Sequence, residues 1–138
     1  MPASISIIGL GVADLSRAIA FYEAIGFNRV PFDSTEIAFF EAGGPQLALF
    51  PRDELAKDAQ VSEEGSGFRG ITLAQNLTTS KEVDDLLSLA VASGGTLVKA
   101  AEPVYWGGYS GYFSDPDGHL WEVACGSAEY AREKGRGI

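Results

Sequence analysis

Two residue types that build most metal and redox sites are nearly missing from this chain. It has one cysteine, Cys125, and one histidine, His119. A lone cysteine forms no intrachain disulfide and no paired-cysteine site, and near the end of an apolar run Cys125 reads as a small core residue. Zinc and non-haem iron usually take several nitrogen or sulfur ligands, so a site with two histidines would need a second subunit. Basic residues are scarce too: 10 Lys and Arg stand against 19 Asp and Glu, a formal net charge of −9. That balance argues against sequence-independent binding to nucleic acid or to an anionic membrane, because both require a basic face. No apolar run approaches the roughly 18 residues that suggest a membrane span. The opening "MPASISIIGLGVAD" lacks the basic segment and long apolar stretch of a signal peptide, so the cytoplasm is the expected location.

What is present is enough for a real core. The chain has 138 residues, of which 46% are apolar, as expected of one globular domain. "ISIIGLGVAD" alternates loosely and reads as a strand. Asp14 can cap the following helix, where Leu15, Ala18, Ile19, Tyr22 and Ile25 fall on one face and Gly26 suits the stop. Three candidate strands follow, "FNRVPF", "TEIAFFEA" and "PQLALFP", with a Gly-Gly-Pro turn between the last two. The stretch from Arg52 to Gly67 is polar and reads as an exposed, partly helical connector.

The same order then repeats. "FRGITLAQNL" reads as a strand, and Thr79 and Glu82 have the spacing of a capping box. Val83, Leu86, Leu87, Ala90 and Val91 form an apolar helical stripe that ends at Gly94 and Gly95. "TLVKA", "GYSGYFS" and "HLWEVA" are the last strands, the final two joined by Asp115-Pro116-Asp117-Gly118. The tail from Ser127 is polar and expected to be loosely held. Each half makes a small sheet with one face under its helix, and the two halves can curve toward each other around a shared trough.

Glu122 interrupts the last apolar strand. A carboxylate there can hold a metal, act as acid or base, grip a ligand, or face water. "IIGLGVADLSRAIAFYEAIGF" and "GYFSDPDGHLWEVA" resemble the opening module and closing hairpin of the vicinal oxygen chelate superfamily, the group of glyoxalases, bleomycin-resistance proteins and extradiol dioxygenases. The resemblance covers roughly residues 4 to 125 and implies an α+β fold: two paired βαβββ modules forming a cupped mixed sheet, with helices on the outer face. One domain is then expected over 1–126, with modules at 4–51 and 68–125, a connector at 52–67 and a polar tail at 127–138. Fold-level likeness does not by itself give a reaction.

The metal enzymes of that superfamily place up to four ligands on strands lining the cup. The matching positions here are Ile7, Ala48, Gly70 and Glu122, so one donor of four remains. His119 is an odd number of residues from Glu122, which puts it on the other face of a strand, beside the turn. No cofactor is therefore expected, with a divalent metal held by Glu122 as the alternative.

If Glu122 faces the cup, alternation brings Leu120 and Ala124 with it and sends Trp121 and Val123 to the helix layer. Ile7, Ala48, Thr72, Ala74, Ser110 and Tyr112 are the other inner-face candidates. Desolvation in such a pocket disfavours the charged carboxylate. Glu122 can contact a ligand, pair with Arg69, or act as a general base or acid. In "EPVYWGGYSGYF", Trp106 sits before a Gly-Gly pair, as a stacking residue on a loop or as a loop anchor, and Tyr109 and Tyr112 offer hydroxyls. The expected ligand-binding set is Glu122, Trp106, Tyr109, Tyr112, Arg69, Thr72, Ile7 and Ala48.

The first functional expectation is metal-independent binding of a small apolar or aromatic molecule in the trough, in the manner of the bleomycin-resistance proteins, by a homodimer. The second is a glyoxalase- or dioxygenase-like lyase or isomerase that uses Glu122 with a metal or as a general base. The third is a non-catalytic dimeric interaction module.

Overall fold

Asp14 adopts an extended conformation and its side chain accepts the Arg17 amide at 3.1 Å, which starts helix α1 (Leu15–Ala24). Its buried stripe is Ala18, Phe21 and Tyr22, and Gly26, at φ +106°, turns the chain out of the helix. The computed structural model describes residues 2–135, which divide into two compact units at Arg69–Gly70.

The first unit runs β1 (Ile7–Val12), α1, β2 (Arg29–Val30), β3 (Ala38–Glu41), β4 (Gln46–Pro51) and α2 (Arg52–Ala59). Its sheet has the order β1-β4-β3-β2, with β1 parallel to β4 and the other pairs antiparallel. Tyr22 meets Phe40 with ring centroids 6.3 Å apart, so α1 covers the face that carries Phe40. Leu47 is opposite Phe40 and Leu49 opposite Ala38, and with Leu10 and Val12 they complete the core under α1. Pro31 follows β2 directly, and this strand is only two residues long, shorter than "FNRVPF" suggests.

The acidic connector belongs to the first unit. Arg52 opens α2, and its guanidinium donates to the Glu63 carbonyl at 2.9 and 2.6 Å and to the Gly65 carbonyl at 3.2 Å. One cation thereby ties down the backbone of a segment that is otherwise polar and exposed.

The second unit runs β5 (Leu73–Leu77), α3 (Ser80–Ala92), β6 (Thr96–Pro103), β7 (Tyr109–Ser114), β8 (Leu120–Cys125) and α4 (Ser127–Glu133). Its sheet repeats the first topology, in the order β5-β8-β7-β6 with β5 parallel to β8. Each unit is thus a βαβββ module, and the α+β expectation holds as two four-stranded mixed sheets. Thr79 and Glu82 form the expected capping box at the start of α3. Val83, Leu87 and Ala90 pack from α3 toward a core of Phe113, Trp121 and Val123. Phe113 and Trp121 lie parallel, 6.1 Å apart. Trp121 is a core residue, as strand alternation predicts.

Two elements differ from the sequence expectation. Strand β5 begins at Leu73, not Phe68, because Gly67 and Gly70 take φ of +76° and +78° and break the extended run. The tail is not wholly loose. Helix α4 buries Tyr130, which stacks on Tyr109 at 5.4 Å. Glu133 accepts the Ser80 amide at 2.7 Å and also the Ser80 hydroxyl, so α4 closes onto the start of α3. Residues 136–138 of the expected tail lie outside the described residues.

Candidate functional site

Helix α3 covers one face of the second sheet and leaves the other without a helix. Gly111 identifies the covered face: a Cβ there would come within 2.8 Å of Leu87 Cδ1 on α3. Ser110 and Tyr112 alternate with it and belong to the helix-free face. On that face Glu122 stands directly opposite Tyr112 on one side and Ala74 on the other, and Tyr112 stands opposite Lys99. One row therefore crosses all four strands as Ala74, Glu122, Tyr112, Lys99. The neighbouring row is Asn76, Ala124, Ser110, Glu102.

This face has an apolar floor with charge at fixed points. Glu122 and Tyr112 are half-buried, Ala124 and Ser110 are buried, and Leu120 is half-buried. Directly opposed side chains on neighbouring strands have Cβ atoms about 5 Å apart, so Tyr112 and Glu122 are neighbours on this face. Toward the sheet edge, Lys99 pairs with Glu102 at 3.4 Å. Lys99 and Glu102 were not foreseen at the site. The strand read as "TLVKA" continues to Pro103, and two register shifts carry both side chains onto this face.

Trp106 joins the same face through Gly108. A Cβ on Gly108 would fall 1.9 Å from Cζ3 of Trp106, so the indole folds back over this glycine. Gly108 continues the Ser110 and Tyr112 alternation by one step, opposite Val104, whose amide donates to the Gly108 carbonyl at 2.9 Å. The Trp106 side remains 40% exposed.

Tyr109 is not brought to Glu122. It sits on the α3 side of the sheet, where its hydroxyl donates to Asp84 at 2.8 Å and its ring stacks on Tyr130. Burial first, and then the Asp84 hydrogen bond, push its pKa up to about 12. Its offset of three from Tyr112 was sufficient signal for the opposite face. Arg69 and Thr72 are exposed and precede β5. In the first unit, Ile7 and Ala48 share the face turned away from α1, with Ile7 opposite Gln46 and Ala48 opposite Gly9 and Phe39. Cys125 is buried, and burial raises its thiol pKa.

A resident metal does not fit the donor set. Of Ile7, Ala48, Gly70 and Glu122, only Glu122 carries a side-chain donor. Among the described residues no three His, Cys, Asp or Glu side chains come together. His119 is held in the Asp115 turn, where its amide and that of Asp117 each donate to Asp115 Oδ1 at 2.9 Å. No described helix is long and apolar enough to cross a membrane.

Comparison with known proteins agrees with the fold. The chain is 36% identical to a glyoxalase-related enzyme from Fulvimarina pelagi, with a TM-score of 0.81 over 88% of this chain and 87% of that one. It is 26% identical to a lactoylglutathione lyase from Agrobacterium tumefaciens, with a TM-score of 0.68 over 92% of this chain and 96% of that one. A metallothiol transferase FosB from Lysinibacillus sphaericus is 28% identical over 95% of this chain and 92% of its own length. The family model of the Glyoxalase/Bleomycin resistance protein/Dioxygenase superfamily matches residues 4–123. The chain belongs to that superfamily.

Proposed function

We propose that the chain binds a small, partly aromatic or apolar molecule on the helix-free face of its second sheet, without a resident metal. The observation that carries this reading is the opposition of Tyr112 and Glu122 on a floor of Ala74, Ala124 and Leu120. An apolar floor with a few fixed polar groups suits a small ligand: the floor supplies affinity and the polar groups supply orientation. Glu122 would accept a hydrogen bond from a ligand amine or hydroxyl, and Trp106 would cover an aromatic part. The working form would be a homodimer. In support, Ile5 and Ile7 lie exposed at edge strand β1, an apolar edge suited to a second chain.

The relatives named as a transferase and a lyase favour a second reading, an enzyme acting on a small carbonyl or aromatic substrate. Glu122 would then take a proton from a carbon beside a carbonyl and return it, as a base followed by an acid. Under either reading the same carboxylate contacts the small molecule.

The test is calorimetric titration of chelator-treated protein with 2-naphthylmethylamine and 2-naphthylmethanol. Saturable binding that weakens in both Glu122→Gln and Trp106→Ala supports the binding reading. Binding that neither substitution alters would place the ligand elsewhere and overturn it.

A further inference from the structure

Helix α3 and the last strand of its sheet, β6, border an open groove of about 620 Å³. It lies on the α3 side, apart from the Glu122 face, and its volume is that of a small-molecule site. The groove follows from an irregularity in the strand. Strand β6 shifts register twice against β7, and Ala100 and Ala101, neighbours in sequence, both line the groove, which strict alternation would not allow. Ala92 on α3 lines it too, and three side chains of one methyl group each leave room between helix and strand. Leu87 closes the floor beside Gly111, where an added Cβ would fall 2.8 Å from its Cδ1. Val91 and Leu97 also line the groove and remain 46% and 47% exposed, so apolar surface stands open to water there.

Among the described residues that line the groove, only Asp84 is charged. The Tyr109 hydroxyl donates to its Oδ1 at 2.8 Å, which orients the carboxylate and leaves its charge in place. Ala92 lies a little over two helical turns beyond Asp84, roughly 12 Å along α3. The groove thus has one anionic end and an aliphatic length. We infer that it is a second ligand site, taking an alkyl chain that ends in an ammonium group. The chain covers Val91 and Leu97 and leaves water as it does so. The ammonium donates to the Asp84 carboxylate. A chain of the same length ending in a carboxylate meets Asp84 with like charge and is rejected. The formal net charge of −9 acts in the same direction at longer range. The site does not depend on the role proposed for the Glu122 face.

The test is calorimetric titration of the full chain with n-octylamine hydrochloride and with sodium octanoate. Octylamine should bind saturably and octanoate should not. Asp84→Asn should weaken octylamine roughly two- to fivefold, the effect of a partly exposed ion pair. Asp85→Asn removes the same charge one position away, outside the groove lining, and should leave the affinity unchanged. Ala92→Phe fills the groove from an exposed position and should abolish binding with little change in melting temperature. Should Ala92→Phe fail to fold, the comparison of Asp84→Asn with Asp85→Asn tests the same site. No saturable octylamine binding, equal binding of octanoate, equal effects of Asp84→Asn and Asp85→Asn, or full affinity in a folded Ala92→Phe would each overturn the assignment. Loss of octylamine binding in Glu122→Gln would place the amine on the other face of the sheet and overturn it too, while supporting the role proposed for Glu122.

Discussion

Tyr112 and Glu122 stand directly opposite each other on neighbouring antiparallel strands, on the face of the second sheet that carries no helix. That one relationship makes a carboxylate residue and a tyrosine neighbours on a single face. The same sheet directs Tyr109 to its other face, and the two tyrosines consequently have different fates.

Tyr109 should titrate late. Its pKa is pushed up to about 12, above the ordinary 10.0, by burial and then by its hydrogen bond to Asp84. A tyrosine raised in the folded state keeps its stabilising contribution below the unfolded value and loses it as pH rises through the folded one. Thermal stability should therefore fall between about pH 10 and 12 as the phenol ionises. Absorbance at the phenolate band should show a late-titrating tyrosine that disappears in Tyr109→Phe. No late step, or its survival in that variant, would count against this geometry.

Gly111 should not tolerate a side chain. A Cβ there would meet the Lys99 carbonyl oxygen at 2.7 Å, the Ala101 amide nitrogen at 2.8 Å and Leu87 Cδ1 at 2.8 Å. Two of these are backbone atoms, which cannot swing aside as a flexible side chain can. Gly111→Ala should cost about 1–3 kcal/mol in urea unfolding, the usual range for overpacking. A neutral result would mean that α3 and β6 are not so close to β7.

The last helix should be tied down by an acid. The Ser80 hydroxyl, then the Ser80 amide, hold the Glu133 carboxyl below its usual pKa of 4.5. A depressed acid stabilises above its unfolded pKa, and the contribution is lost as pH falls through the folded one. Glu133→Gln should lower the melting temperature slightly at neutral pH, with the difference shrinking as pH falls below the ordinary carboxyl pKa of 4.5 and the native carboxyl protonates. Melting curves that stay parallel over that range would remove Glu133 from the account.

Much of this molecule is readable from particular residues. Asp14 and Thr79 mark helix starts because a short polar side chain satisfies an otherwise unpaired amide. "HLWEVA" declares its two faces through period-two alternation, which separates Trp121 from Glu122. What was not readable came from register and from distant contacts. Lys99 and Glu102 reach the Glu122 face only because β6 shifts register twice against β7. Helix α4 looks like a polar tail because one tyrosine and one glutamate do its anchoring, and their partners, Tyr109 and Ser80, are far away in sequence. The Trp106 fold-back depends on the missing side chain at Gly108, which a Gly-Gly pair suggests but does not orient.

The most direct test of the central claim, a Glu122 face that works without a resident metal, is elemental analysis of protein purified without chelator, beside Glu122→Gln. The account predicts no stoichiometric transition or alkaline-earth metal in either protein. About one metal per chain, lost in Glu122→Gln, would contradict it: the donor set would then extend beyond the four strand positions, and the enzyme reading would take precedence.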